Sequence, residues 1–280
     1  MRLRWAGLLG ALLGGAVAVV PSAPAAWLAD GLAQATGQRL QLADARGTLW
    51  QGSAVLVLTA GPQGRSASAL PGRLSWTLGL EGRSLVLHAR QDCCINGAMR
   101  LRLTPGLGRV RLDLLPPDAA FASTGTAPLP EQPGAIGQWP ASWLVGLGAP
   151  WNTLQPSGTL QLMSRGLSLE RQQGRWTFSG RVDLTLDRIA SRLAALDVLG
   201  TYRLSLSGAA TPGQPPRIQL TTTSGALRLD GSGEWSGPGA AAPLRFQGAA
   251  SAAPGSEDAL GGLLNIIGRR QGTQSLITIG

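Results

Sequence analysis

Two adjacent cysteines, Cys93 and Cys94, are the residues of this chain best equipped for chemistry. Neighbouring thiols can close on each other in a small ring, bond a second chain, or stay reduced and buried. An oxidising compartment favours the bonded form. A metal site would need further ligands, and the one histidine, His88, sits among Leu85, Val86 and Leu87 in a strand-like alternation. The same histidine is the only base for a hydrolytic triad, and its setting does not suit that task. Aspartates and glutamates are dispersed, so no carboxylate pair is assigned. The chain has no lysine, which removes a lysine-bearing phosphate loop. No catalytic, cofactor-binding or metal-binding residue is assigned, no cofactor is expected, and the chain reads as a non-enzyme. Function must then lie in location, shape and contact.

The elements that could position such contacts begin with an uncharged run from Trp5 to Ala29, preceded by Arg2 and Arg4. Basic residues ahead of an apolar run place the N-terminus in the cytoplasm and the body across the membrane. We read residues 1–28 as a transmembrane anchor, with Arg2, Arg4, Trp5 and Trp27 at the membrane interfaces. The alternative is a cleaved signal peptide, because Ala23-Pro24-Ala25 offers small residues at processing offsets. Net charge is +9, with a pI near 11.4. The arginines are scattered through alternating leucines and valines instead of clustering with aromatics, so no nucleic-acid partner is expected.

Downstream, alternation dominates. Leucine and valine take every second position in Arg100–Leu103 and Arg109–Leu114, and Pro105–Gly108 reads as the hairpin between them. One face is apolar and the other charged, as in an antiparallel sheet wetted on one side. Val55–Leu58 is apolar on both faces and reads as a central or covered strand. Trp50, Trp76, Trp176 and Trp235 read as strand residues that pack in the core, with a lipid or glycan platform as the alternative. Four helices are expected: Trp27–Ala35, Pro140–Leu147, Arg188–Leu199 capped by Asp187 and Gly200, and Glu257–Ile267 opened by Ser256. Residues 116–140 are rich in Pro, Gly, Ala and Thr and read as a linker.

Blocks on either side of that linker echo each other in order. Ala26-Trp27-Leu28 is followed by Ser142-Trp143-Leu144, and Gly47-Thr48-Leu49 by Gly158-Thr159-Leu160. Gly72–Thr77 returns as Gly174–Thr177, Gly82–Leu87 as Gly180–Thr185, and Met99–Leu103 as Tyr202–Leu206. We read residues 29–115 and 141–280 as two related β repeats.

The basic leader, Ala26-Trp27-Leu28-Ala29, Gly47-Thr48-Leu49-Trp50-Gln51-Gly52, Leu74-Ser75-Trp76-Thr77-Leu78 and the closing Leu263–Gly272 together resemble protein N of the bacterial type II secretion system. The resemblance runs over nearly the whole chain. It implies a single-pass inner-membrane protein with a periplasmic, mainly β body, built as a curved antiparallel sheet akin to AsmA-like proteins. It implies an accessory part in exporting folded proteins, with other secretion subunits as partners. It brings no catalytic residues, and within it Gly47 and Gly52 are expected to bracket a strand. An apolar sheet face raises a second reading, a periplasmic lipid-handling protein.

Overall fold

The computed structural model describes residues 22–115, 134–208, 214–237 and 244–280. The leader residues Arg2, Arg4 and Trp5 lie outside them, as do most of the linker and parts of the loops near 211–216 and 236–243.

Alternation along each strand sorts its side chains into two faces, and the register shows how those faces join. β4 (Leu74–Glu81), β5 (Ser84–Arg90), β6 (Met99–Gly106) and β7 (Arg109–Leu115) run as successive antiparallel hairpins. β7 then pairs with β9 (Pro156–Gln172), and β9 with β10 (Arg175–Ser191). Leu85, Leu103, Leu112, Leu169 and Phe178 fall in one row across five strands. The row on the other face reads Thr104, Arg111, Glu170 and Thr177. The alternating leucines therefore do make one apolar and one charged face. Leu107-Gly108 forms the turn expected inside Pro105–Gly108, with Gly108 at φ +69°.

The sheet continues through β11 (Gly200–Ser207), β12 (Arg217–Gly225), β13 (Leu227–Trp235), β14 (Leu244–Ala252) and β16 (Gln274–Ile279) to β15 (Arg269–Gln271). Past a bulge near Gly166 the apolar row resumes as Leu162, Leu184, Leu204 and Leu220. At the other end, β1 (Leu40–Gly47) pairs with β2 (Gln51–Thr59), which is flanked on its far side by β3 (Ala67–Ala69) and β4. Among the described residues this is one antiparallel sheet of sixteen strands, open between β1 and β15. The apolar strand Val55–Leu58 lies inside it, with β1 alone beyond.

Short helices cover parts of the apolar face. α1 (Ala26–Ala35) lays Leu28, Ala29 and Leu32 on Leu42, Ala54 and Trp76. A 3-10 helix, Ala141–Leu147, brings Ala141 and Leu144 to Leu160, Ile189 and Tyr202. A single α turn, α2 (Trp151–Leu154), follows it. α3 (Glu257–Ile267) buries Leu260, Leu263 and Leu264 against Leu199, Leu227 and Ala250. Its apolar residues recur at the helical i, i+3, i+4 and i+7 spacing. The buried Ser275 hydroxyl donates to the Leu264 carbonyl at 2.7 Å, a helix-end acceptor with no intrahelical donor.

Several expectations differ from the structure. Arg188–Leu199 is not a helix: β10 runs on to Ser191 through a bulge with Arg188 at φ +45°. Ile189 pairs with Gly200 and Ala190 with Ser157, so bonding to strands on both sides overrides the leucine spacing. Ser256 gives α3 no side-chain cap. Gly47 and Gly52 bracket the turn between β1 and β2, not a strand, and Trp50 lies in that turn. The two halves do not repeat strand for strand, because the blocks that form β4 and β5 in the first half fall on the single strand β10 in the second. The last residues of the expected linker form β8 (Ala135–Pro140), which pairs with β9 beside β7.

Candidate functional site

A protein that acts by contact displays its function in edges, loops and uncovered faces. The β1 edge is guarded against a further strand at two points. The Thr36 hydroxyl accepts the Leu40 N–H at 3.2 Å and donates to the Leu32 carbonyl at 2.8 Å. Farther along, the register slips between Ala43 and Arg46, with Asp44 at φ +50°. Arg73 donates to the Asp44 carboxylate at 2.7 Å and Arg46 reaches it at 2.8 Å. These two guanidiniums hold the Asp44 carboxyl below its ordinary range. A bulge and charged side chains at the edge are devices that discourage edge pairing.

The opposite edge is less guarded. β15 pairs only with Gln274, Ser275 and Leu276 of β16. In an antiparallel ladder alternate residues point N–H and C=O the same way. Gln274 and Leu276 face β15, so Thr278 is the next residue directed outward, past the end of β15. Thr278 is exposed, its strand neighbours Leu276 and Ile279 are exposed on opposite faces, and Ile266 is exposed on α3. The strand carries no charge from Gln274 to Ile279.

The cysteines hold a loop against β8. Cys93 and Cys94 are joined by a disulfide, with Cys93 exposed and Cys94 buried. The Cys94 carbonyl accepts the Gln138 N–H at 2.8 Å, and the Asn96 N–H donates to the Ile136 carbonyl at 2.8 Å. Gly137 is tightly confined there: a Cβ on it would lie 2.3 Å from the Cys94 carbonyl oxygen. The bonded pair thus belongs to a segment that acts as a short partner strand for β8.

Trp27 lies on α1 and is 55% exposed. That helix packs on the sheet, and the chain is already paired before it, with Pro24 bridged to Thr48. Among the described residues no helix is long and apolar enough to cross a membrane. Of the strand tryptophans, Trp76 is buried and donates to the Leu49 carbonyl at 3.2 Å. Trp235 meets Phe178 edge-on at 6.0 Å, although β11 and β12 separate their strands in the sheet, so the sheet bends there. Arg171 lies over Trp176 at 5.7 Å.

The charged face carries ion pairs. Arg102 donates to Glu81 and Arg111 to Asp113, around a polar groove of about 520 Å³. On β10, partial burial acts to raise the Asp183 carboxyl, but hydrogen bonds from Ser205 and Arg181 outweigh it and the carboxyl titrates below its ordinary range. His88 lies half-buried on β5. Among the described residues no group of three His, Cys, Asp or Glu could hold a metal ion. Sequence reasoning did not find the Thr36 plug or the open flank of β16, since both depend on which strands end up outermost.

Comparison with known proteins adds one match. The family model for type II secretion system protein N matches residues 38–276. No curated protein and no solved structure matches the chain.

Proposed function

The chain belongs to the type II secretion system protein N family, and from that premise we propose that it is a non-enzymatic accessory subunit that works by docking. The apolar leader ahead of Ser22 holds it in the bacterial inner membrane as a single span, N-terminus in the cytoplasm, and the sheet stands in the periplasm. The anchor is shorter than the expected 1–28, because Ala23 to Leu28, Trp27 included, belong to the body, paired to the β1–β2 turn or carried on the helix that packs on the sheet. Partner subunits of the secretion machine add a strand at the β16 edge, where main-chain groups supply the bond and Leu276, Ile279 and Ile266 supply apolar contact. The observation that carries this reading is the asymmetry of the edges: Thr36 and the Asp44 bulge guard β1, while β15 stops short of Thr278.

The test is capture from cells that assemble the machine. Thr278→Pro removes the outward N–H and should abolish recovery of secretion subunits while leaving the protein folded. Equal recovery with the wild type and the variant would move the interface elsewhere, and recovery of no secretion subunit by either would overturn the reading.

A second reading rests on the central apolar rows. Leu85, Leu87, Leu101, Leu103, Leu112 and Leu114 are only half-buried, and such a face suits an acyl chain. Native mass spectrometry of protein extracted without delipidation should then show bound phospholipid; a lipid-free mass would remove this reading.

A further inference from the structure

We infer that the hairpin-tip end of the sheet docks on a bilayer surface bearing anionic headgroups. This rests on the membrane reading above and adds a second point of attachment to it. The turns β4–β5, β6–β7 and β9–β10 all fall at one end, because Glu81 pairs with Ser84, Gly106 with Arg109, and Arg109 with Gln172 beside the next turn. The first described residues reach the same end. Ala25 donates to the Gly47 carbonyl and Leu49 to the Ala23 carbonyl, at the β1–β2 turn, whose Trp50 carbonyl accepts from Leu78. The apolar run of the leader therefore joins the body at the end where the turns lie.

The chemistry of those turns matches a headgroup layer. Leu107 is fully exposed at a turn, Leu80 is 70% exposed and Val110 is 41% exposed. Water-facing leucine at a turn gains nothing in solution but can insert at an interface. Arg83, Arg109 and Arg175 flank them, exposed and with no ion pair among the described residues. Of the nearby carboxylates, Glu81 and Asp113 are taken by Arg102 and Arg111, and Glu170 lies beside Arg111 in the register, offset at this end by the exposed Arg171. The three remaining arginines give this end an unspent positive charge, and anionic lipid is its complement.

Hydrogen exchange on the full chain in proteoliposomes tests this. Peptides covering residues 80–84, 105–111 and 171–176 should exchange more slowly in vesicles containing phosphatidylglycerol than in phosphatidylcholine alone. The protection should disappear in about 0.5 M salt, where screening acts within a few ångströms. Each of Arg83→Ser, Arg109→Ser and Arg175→Ser should reduce it about fivefold, and Leu107→Asp should remove it, with α3 peptides still protected as proof of folding. Equal exchange in both vesicles, or protection indifferent to salt, would overturn the docking. An alkaline wash separates the two attachments. Chain retained after the wash with unprotected tips refutes the docking alone. Chain stripped by the wash whose tips were protected beforehand upholds the docking and refutes the span.

Discussion

Tyr202 is the only tyrosine of a chain without lysine, which gives its titration an unusually clear readout. Its hydroxyl donates to the Leu227 carbonyl at 3.0 Å, and burial raises its pKa above the ordinary tyrosine value. An acid whose folded pKa is raised loses stability as pH climbs past its unfolded value, about 10. Urea midpoints should therefore fall between about pH 10 and pH 12, and Tyr202→Phe should flatten that fall while costing about 1 kcal/mol at neutral pH. Asp183 has the opposite sign. Its carboxyl is lowered, so its contribution is whole above about pH 4 and drains away as pH drops through the folded value. Asp183→Asn should shrink the acid loss of stability. Gly137→Ala forces a Cβ to within 2.3 Å of the Cys94 carbonyl oxygen, and should cost about 2–3 kcal/mol and speed exchange at Gln138. At this scale the sequence was partly legible. The strand position of His88 could be read directly, whereas the state of Cys93 and Cys94 stayed open in the sequence and the tightness at Gly137 depends on a bond between segments more than forty residues apart.

Among elements, legibility followed the reach of the forces. α3 could be read from Leu260, Leu263, Leu264 and Ile267, because the spacing that forms the helix is also the face it buries. Leu263→Ala should destabilise the protein by about 2–5 kcal/mol in denaturant unfolding. The β6–β7 hairpin was legible for the same local reason. Arg188–Leu199 was not: Ile189, Leu193 and Leu196 have helical spacing, but Leu199, just before β11, donates its N–H to the Ile189 carbonyl of β10 at 2.7 Å. Block order suggested two repeats, yet Gly82 closes a turn while its counterpart Gly180 lies within β10, so a similar string serves two geometries.

For the whole molecule, the sheet's one apolar and one charged face could be foreseen, but which strands end it could not. That outcome decides where another protein can attach. The proposed meeting place is the β16 flank, and the β1 flank is the guarded edge. Site-specific photo-crosslinking in secreting cells compares the two directly, with the reactive residue placed at Thr278 or at Arg46. Docking at the β16 flank should give an adduct with another secretion subunit from position 278 and none from position 46. Adducts from position 46 alone, or from neither, would contradict it.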